Sequence, residues 1–158
     1  AMTAALEHYT AILAETLLSD ECAQRMLGQG EVRSMLLWHA LEESEHRAVA
    51  FDVYTAVGGT NRMRVLVMLF TTFGFFTLAA CASFMSLVRD PDFYNPRTFF
   101  RSVARLFRSP FFSGEVFRRL MSYSRKDFHP DEVDNIALID KWNTVLFGEQ
   151  GQIADHLH

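Results

Sequence analysis

Within the stretch Trp38-His39-Ala40-Leu41-Glu42-Glu43-Ser44-Glu45-His46, two imidazoles and a carboxylate recur at i, i+4 and i+7: His39, Glu43 and His46. On a helix advancing about 100° per residue, that spacing stacks the three side chains along one face. Neutral imidazole nitrogen and carboxylate oxygen converging on one point are donors for a divalent cation, and two helical turns supply three of them without any loop. Glu43-x-x-His46 is also the half-motif of helical-bundle di-metal carboxylate sites, a Glu that bridges two ions followed one turn later by a terminal His. The plainer alternative is a solvated acidic face of Glu42, Glu43 and Glu45; against it stand Leu36, Leu41 and Val49, which make the helix too apolar for a surface decoration.

Other chemistry-bearing residues are weaker. Glu7 lies among Ala4, Ala11 and Ala14, a small-residue face that a neighbouring helix can approach closely, so its carboxylate points inward and calls for a partner or a metal. An ordinary surface acid near the positive end of the helix dipole explains it equally well. His8 points about 100° away from Glu7 and reads as a surface residue. His129 and Asp131 flank Pro130, where turn chemistry accounts for them as well as a metal role does.

The elements that must position these groups are all helical. The first runs from Thr3 to Leu18. Ser19 and Asp20 cap a short helix through Met26, and Gly28-Gln29-Gly30 makes a turn. The ligand-bearing segment, Glu31 to Val57, contains neither Pro nor Gly and predicts one continuous helix, stopped at Gly58-Gly59. Thr60 then caps a helix whose residues 65–88 carry no charged side chain. About 20 apolar residues cross a bilayer, so this is either a membrane helix or the buried centre of a bundle. Asp90-Pro91-Asp92 predicts a loop. Asn95-Pro96 and Ser109-Pro110 each start a helix, to Phe107 and Tyr123, with Arg101, Arg105, Arg108, Arg118 and Arg119 set among Phe and Leu. A last helix spans Glu132 to Phe147, and the tail from Gly148 to His158 reads as frayed.

The expected architecture is therefore an all-α, single-domain helical bundle, with ligand-bearing helices over 1–57, an apolar helix over 61–89 and accessory helices over 95–147. A net charge of −4 gives no electrostatic reason for nucleic acid. Two cysteines in different segments suggest neither a disulfide framework nor a Cys-rich zinc site, and fit a reducing, cytoplasmic setting. There is no Gly-rich phosphate loop and no nucleophile elbow. Basic amphipathic segments beside an apolar run of this length add a membrane-associated alternative, with contact through 65–88.

Leu6-Glu7-His8-Tyr9-Thr10-Ala11, the block from Trp38 to Tyr54, and Phe128-His129-Pro130 together resemble the bacterial family labelled predicted metal-dependent hydrolases, over nearly the whole chain. That family resembles the ferritin-like superfamily, and the His39/Glu43/His46 arrangement is similar to the last ligand helix of di-iron enzymes of the p-aminobenzoate N-oxygenase type. The resemblance implies that Glu7 is the lone carboxylate of a third bundle helix and that His39, Glu43 and His46 are ligands of the fourth. It implies two divalent ions per complete site, iron first, with manganese or zinc as alternatives. Glu7 and Glu43 would bridge, with His39 and His46 terminal. Family members carry upstream a further Glu and a further Glu-x-x-His, and neither precedes Glu7 here. The ferritin-like bundle is thus expected to be partial, completed by a missing N-terminal half or by a second copy in a homodimer.

The functional expectation is a metal-dependent enzyme, either an oxygen-activating oxidoreductase or a hydrolase acting on a small molecule. Glu42, one residue off the stripe, and Tyr54 are candidates to support the ligands, and no acid or base is assigned. The rival is a non-enzymatic, membrane-associated helical module with a vestigial site. Iron storage is a third reading.

Overall fold

Alanines spaced along the first segment let other helices approach its backbone, and it becomes the central helix. In the computed structural model, which describes residues 1–89, 96–148 and 151, α1 (Met2–Ser19) packs against α2 (Glu21–Met26), α3 (Glu31–Glu45), α4 (Val49–Ala56), α5 (Asn61–Val88), α7 (Gly114–Ser122) and α8 (Ile136–Phe147). The helix α6 (Pro96–Phe107) lies between α5 and α7 in the chain. The described residues contain no strand, and the chain is an all-α bundle. The expected loop at Asp90-Pro91-Asp92, the Asn95 cap and the tail residues 149–150 and 152–158 lie outside the described residues.

Two apolar clusters hold the helices. One joins Ala4, Ala5 and Tyr9 of α1 to Phe51, Met68, Tyr123 and Phe128; the other joins Ala14 and Leu18 to Leu37, Ala40, Leu41, Trp142 and Leu146. Leu18, Leu37 and Leu146 are wholly buried, each contributing about 1.5–3 kcal/mol through water exclusion. The Trp142 indole N–H donates to the Leu18 carbonyl at 2.8 Å, tying α8 to the end of α1.

Local signals fall where the residue types place them. The Asp20 carboxylate accepts the N–H groups of Cys22 and Ala23, and the Thr60 hydroxyl accepts that of Met63. Gly58 ends α4 in the left-handed region at φ 80°.

The continuous helix expected over Glu31 to Val57 is not formed. It breaks at His46-Arg47-Ala48, and α4 starts afresh at Val49. The reason is tertiary. In an unbroken helix the Ser44 carbonyl would take the N–H of Ala48; instead it accepts the Asn135 side-chain amide at 3.3 Å. Arg47 turns inward to Glu15, and the Glu7 carboxylate accepts the Ala50 N–H, capping α4 from a different helix because Ala48 has no side-chain acceptor.

The apolar helix is not the buried centre of the bundle. Its first turns pack on α1: Arg64 and Met68 are buried, and Tyr9 donates to Thr72 Oγ1 at 2.6 Å. The Arg64 guanidinium stacks over Phe51, Tyr123 and Phe128, its carbon 5.2, 4.9 and 5.5 Å from their ring centres, and donates to Asn61 and the Arg125 carbonyl. Beyond these turns α5 is almost wholly exposed.

Candidate metal site

Where α1 crosses α3 and α4, Glu7 and Glu43 stand on packed helices, with His39 beside Glu43. Glu43 accepts a hydrogen bond from Thr10 Oγ1 through Oε2, and its Oε1 stands 3.6 Å from His39 Nε2. Glu7 reaches across to α4, where Oε2 accepts the Ala50 N–H at 2.8 Å. Burial holds the Glu7 carboxyl above its usual range. The Ala50 N–H works against that shift, and the charge of Glu43 adds to it; His46 and the Phe51 N–H pull it back down. The two carboxylates and His46 thus share one electrostatic neighbourhood.

The imidazoles stand at its rim. His39 and His46 are 61% and 62% exposed, so most of each ring faces solvent rather than the interior expected from the sequence. His46 is the last residue in helical phase before the break, and its Nδ1 lies 3.9 Å from Glu42 Oε2 rather than against Glu43. Among the described residues no three His, Cys, Asp or Glu side chains stand in metal-holding geometry. What the four residues have in common with metal sites is donor chemistry, carboxylate oxygen on Glu7 and Glu43 and imidazole nitrogen on His39 and His46.

A second buried cluster was not anticipated. Glu15, 4% exposed, accepts Arg47 at 3.1 Å and Asn135 Nδ2 at 2.9 Å on Oε1, and Arg119 on Oε2; Arg47 also reaches Asp131 at 3.2 Å. His8, expected at the surface, is buried between Tyr123 and Phe128, with Nε2–H donating to the Arg119 carbonyl at 3.2 Å. Desolvation pushes its imidazole down to about 4, so it is neutral at pH 7. A signal was available: His8 and Glu15 continue the stripe Ala4, Ala11, Leu18 at i, i+4, i+7, i+11 and i+14, a face that the central helix buries.

His129 faces Asp52, Nε2 to Oδ1 2.9 Å, while its Nδ1 accepts the Asp131 N–H at 3.2 Å; Nε2 therefore carries the proton. The same residue caps the turn Pro130–Glu132, so turn chemistry accounts for both His129 and Asp131. Tyr54 donates to the Thr60 carbonyl at 2.8 Å, away from Glu43.

A family profile described as "Predicted metal-dependent hydrolase" matches residues 1–134. The chain belongs to that family. The match covers Glu7, His39, Glu43, His46 and the buried Glu15 cluster except Asn135, and stops inside the segment that leads to α8. No curated protein and no solved structure matches the chain. Membership of this family implies use of a divalent metal.

Proposed function

We propose that the chain is a metal-dependent enzyme whose centre is built from Glu7, His39, Glu43 and His46. One observation carries the reading: the metal-dependent family match spans all four residues, and within it Glu7 on α1 and Glu43 on α3 lie on packed helices close enough for the Glu43 charge to add to the burial that raises the Glu7 carboxyl. Glu7 and Glu43 would supply carboxylate oxygens and His39 and His46 imidazole nitrogens to hold the metal, the donor types of ferritin-like carboxylate centres. Iron suits this oxygen-rich, imidazole-bearing set, with manganese or zinc as alternatives. Such a pair supplies oxygen activation when it is iron, or an activated water for hydrolysis.

The protein's own part is positioning. Thr10 orients Glu43, the amides of Ala50 and Phe51 orient Glu7, and Glu42 keeps His46 close to the helix. A further Glu and Glu-x-x-His, from a second copy in a homodimer or from an additional segment, complete the ligand count. The family description favours hydrolysis, whereas likeness of the ligand set to di-iron oxygenases favours oxygen chemistry.

Elemental analysis of untagged protein, combined with its mass in solution, tests the centre. The expectation is about one to two ions per assembled site. Glu7→Gln and Glu43→Gln should each lose the metal while keeping wild-type helicity. Protein that takes up no iron, manganese or zinc on reconstitution sinks the reading. Oxygen uptake on adding ferrous iron, set against anaerobic ester hydrolysis by the same preparation, separates the two chemistries.

A further inference from the structure

The face of α5 opposite its contact with α1 is unpartnered. Arg64, Met68 and Thr72 turn inward, while Leu66, Phe70, Phe73, Phe84 and Val88, between 41% and 75% exposed, lie within roughly 60° of one another on the other side. Distally the exposure runs around the helix, taking in Leu78 and Met85, and only 6% of its most apolar stretch is buried. A second protein helix covers one stripe, whereas hydrocarbon covers every side.

A single crossing of the bilayer is incompatible with the placement of α7 and α8. The helix α7 packs on α1, with the Arg119 carbonyl bound to His8, and α8 packs on α3, with Trp142 bound to Leu18. The segments before and after α5 therefore stand on the same side of it. The helix α6 supplies the remaining argument. Its arginines at 101 and 105, with Arg108 just past its end, form one stripe and line a cleft of about 630 Å³ shared with Cys22 and Met26 of α2. No carboxylate pairs with these three guanidinium groups among the described residues. Phe100 and Phe107 of the same helix are 68% and 66% exposed. Exposed phenylalanines and a cationic cleft on one short helix match the boundary between lipid tails and anionic headgroups.

We propose that the protein docks on an anionic membrane from one side, with the outer face of α5 and Phe100 and Phe107 of α6 entering the hydrocarbon of a single leaflet while Arg101, Arg105 and Arg108 take lipid phosphates. This is independent of the metal centre, and metal content does not enter its test.

The two native cysteines provide the readout. Cys81 lies on the lipid-facing side of α5 and Cys22 on α2, and both are exposed and free. The full chain, held in detergent until mixing, is floated with vesicles of phosphatidylglycerol and phosphatidylcholine or of phosphatidylcholine alone, and then treated with a polar maleimide. The protein should float with the anionic vesicles, with Cys81 modified about tenfold more slowly and Cys22, which lines the arginine cleft, slowed as well. Leu78→Glu with Phe84→Glu, both at exposed positions, should abolish flotation and restore Cys81 reactivity with unchanged helicity. Arg101→Gln, Arg105→Gln and Arg108→Gln together should reduce flotation to the phosphatidylcholine level. Protein that stays in the aqueous fraction overturns the proposal, as does slow Cys81 modification without vesicles in a preparation that light scattering shows to be dimeric. Equal flotation on both vesicles overturns the assignment of the arginines to phosphates.

Discussion

The Glu15 carboxylate on α1 and the Arg47 guanidinium in the α3–α4 junction meet at 3.1 Å with almost no water around them, their side chains 5% and 10% exposed. Arg119 and Asn135 take the remaining positions on the carboxylate, so one acid joins α1, the junction, α7 and the segment before α8. Removing one partner of a buried pair leaves its counter-charge uncompensated. Glu15→Gln is therefore expected to cost about 3–5 kcal/mol, read as a fall in the urea midpoint with an unchanged slope.

His8 gives the fold an acid-side weakness. Its imidazole titrates near 6.5 when unfolded and about 4 when folded, so its contribution is intact above pH 6.5. As pH falls from 6.5 toward 4 the unfolded chain binds a proton that the folded chain refuses, and stability drops by about 3 kcal/mol. In metal-free protein, His8→Phe keeps the ring stacking on Tyr123 and Phe128 and should lose less stability than wild type over that interval. Parallel denaturation curves at pH 7 and pH 4.5 make the comparison.

Of the proposed ligand side chains Thr10 holds only Glu43, through Oε2; its hydroxyl otherwise reaches the backbone carbonyls of Leu6 and Glu7 in its own helix. Thr10→Val conserves volume but frees that carboxylate to rotate. Metal affinity should fall about 10-fold or more with little change in melting temperature. Titration with a chromophoric chelator competitor measures it.

The chain break at His46 depends on Asn135. Without its amide the Ser44 carbonyl and one side of Glu15 lose a donor inside the protein. Asn135→Leu is expected to destabilise by about 1–3 kcal/mol and to increase helicity around residues 45–49, visible as slowed amide exchange there.

What could be read from the sequence was local. Asp20, Thr60 and Gly58 act on backbone groups within three residues of themselves, so their types and positions sufficed. The spacing of His39, Glu43 and His46 set His39 beside Glu43 one turn away, but His46 lies by Glu42 instead. The break at 46–48 was invisible because its causes, Asn135 and Glu7, are distant in the chain and no Gly or Pro marks the spot. His8 and Glu15 were hidden by their polarity: each is buried because a partner from α7 satisfies it, and that partner cannot be guessed from the first helix alone. The apolar length of α5 was plain, but whether protein or something else surrounds it depends on how closely α1, α7 and α8 pack together.

Because a carboxylate from α1 holds the first turn of α4, the proton on the Ala50 nitrogen is a gauge of what Glu7 is doing. Any ion that draws this carboxylate toward Glu43 weakens its grip on that amide, and exchange with deuterated solvent quickens at one backbone position. Loading of the proposed centre would then be followed from a single nitrogen resonance, whichever metal is added.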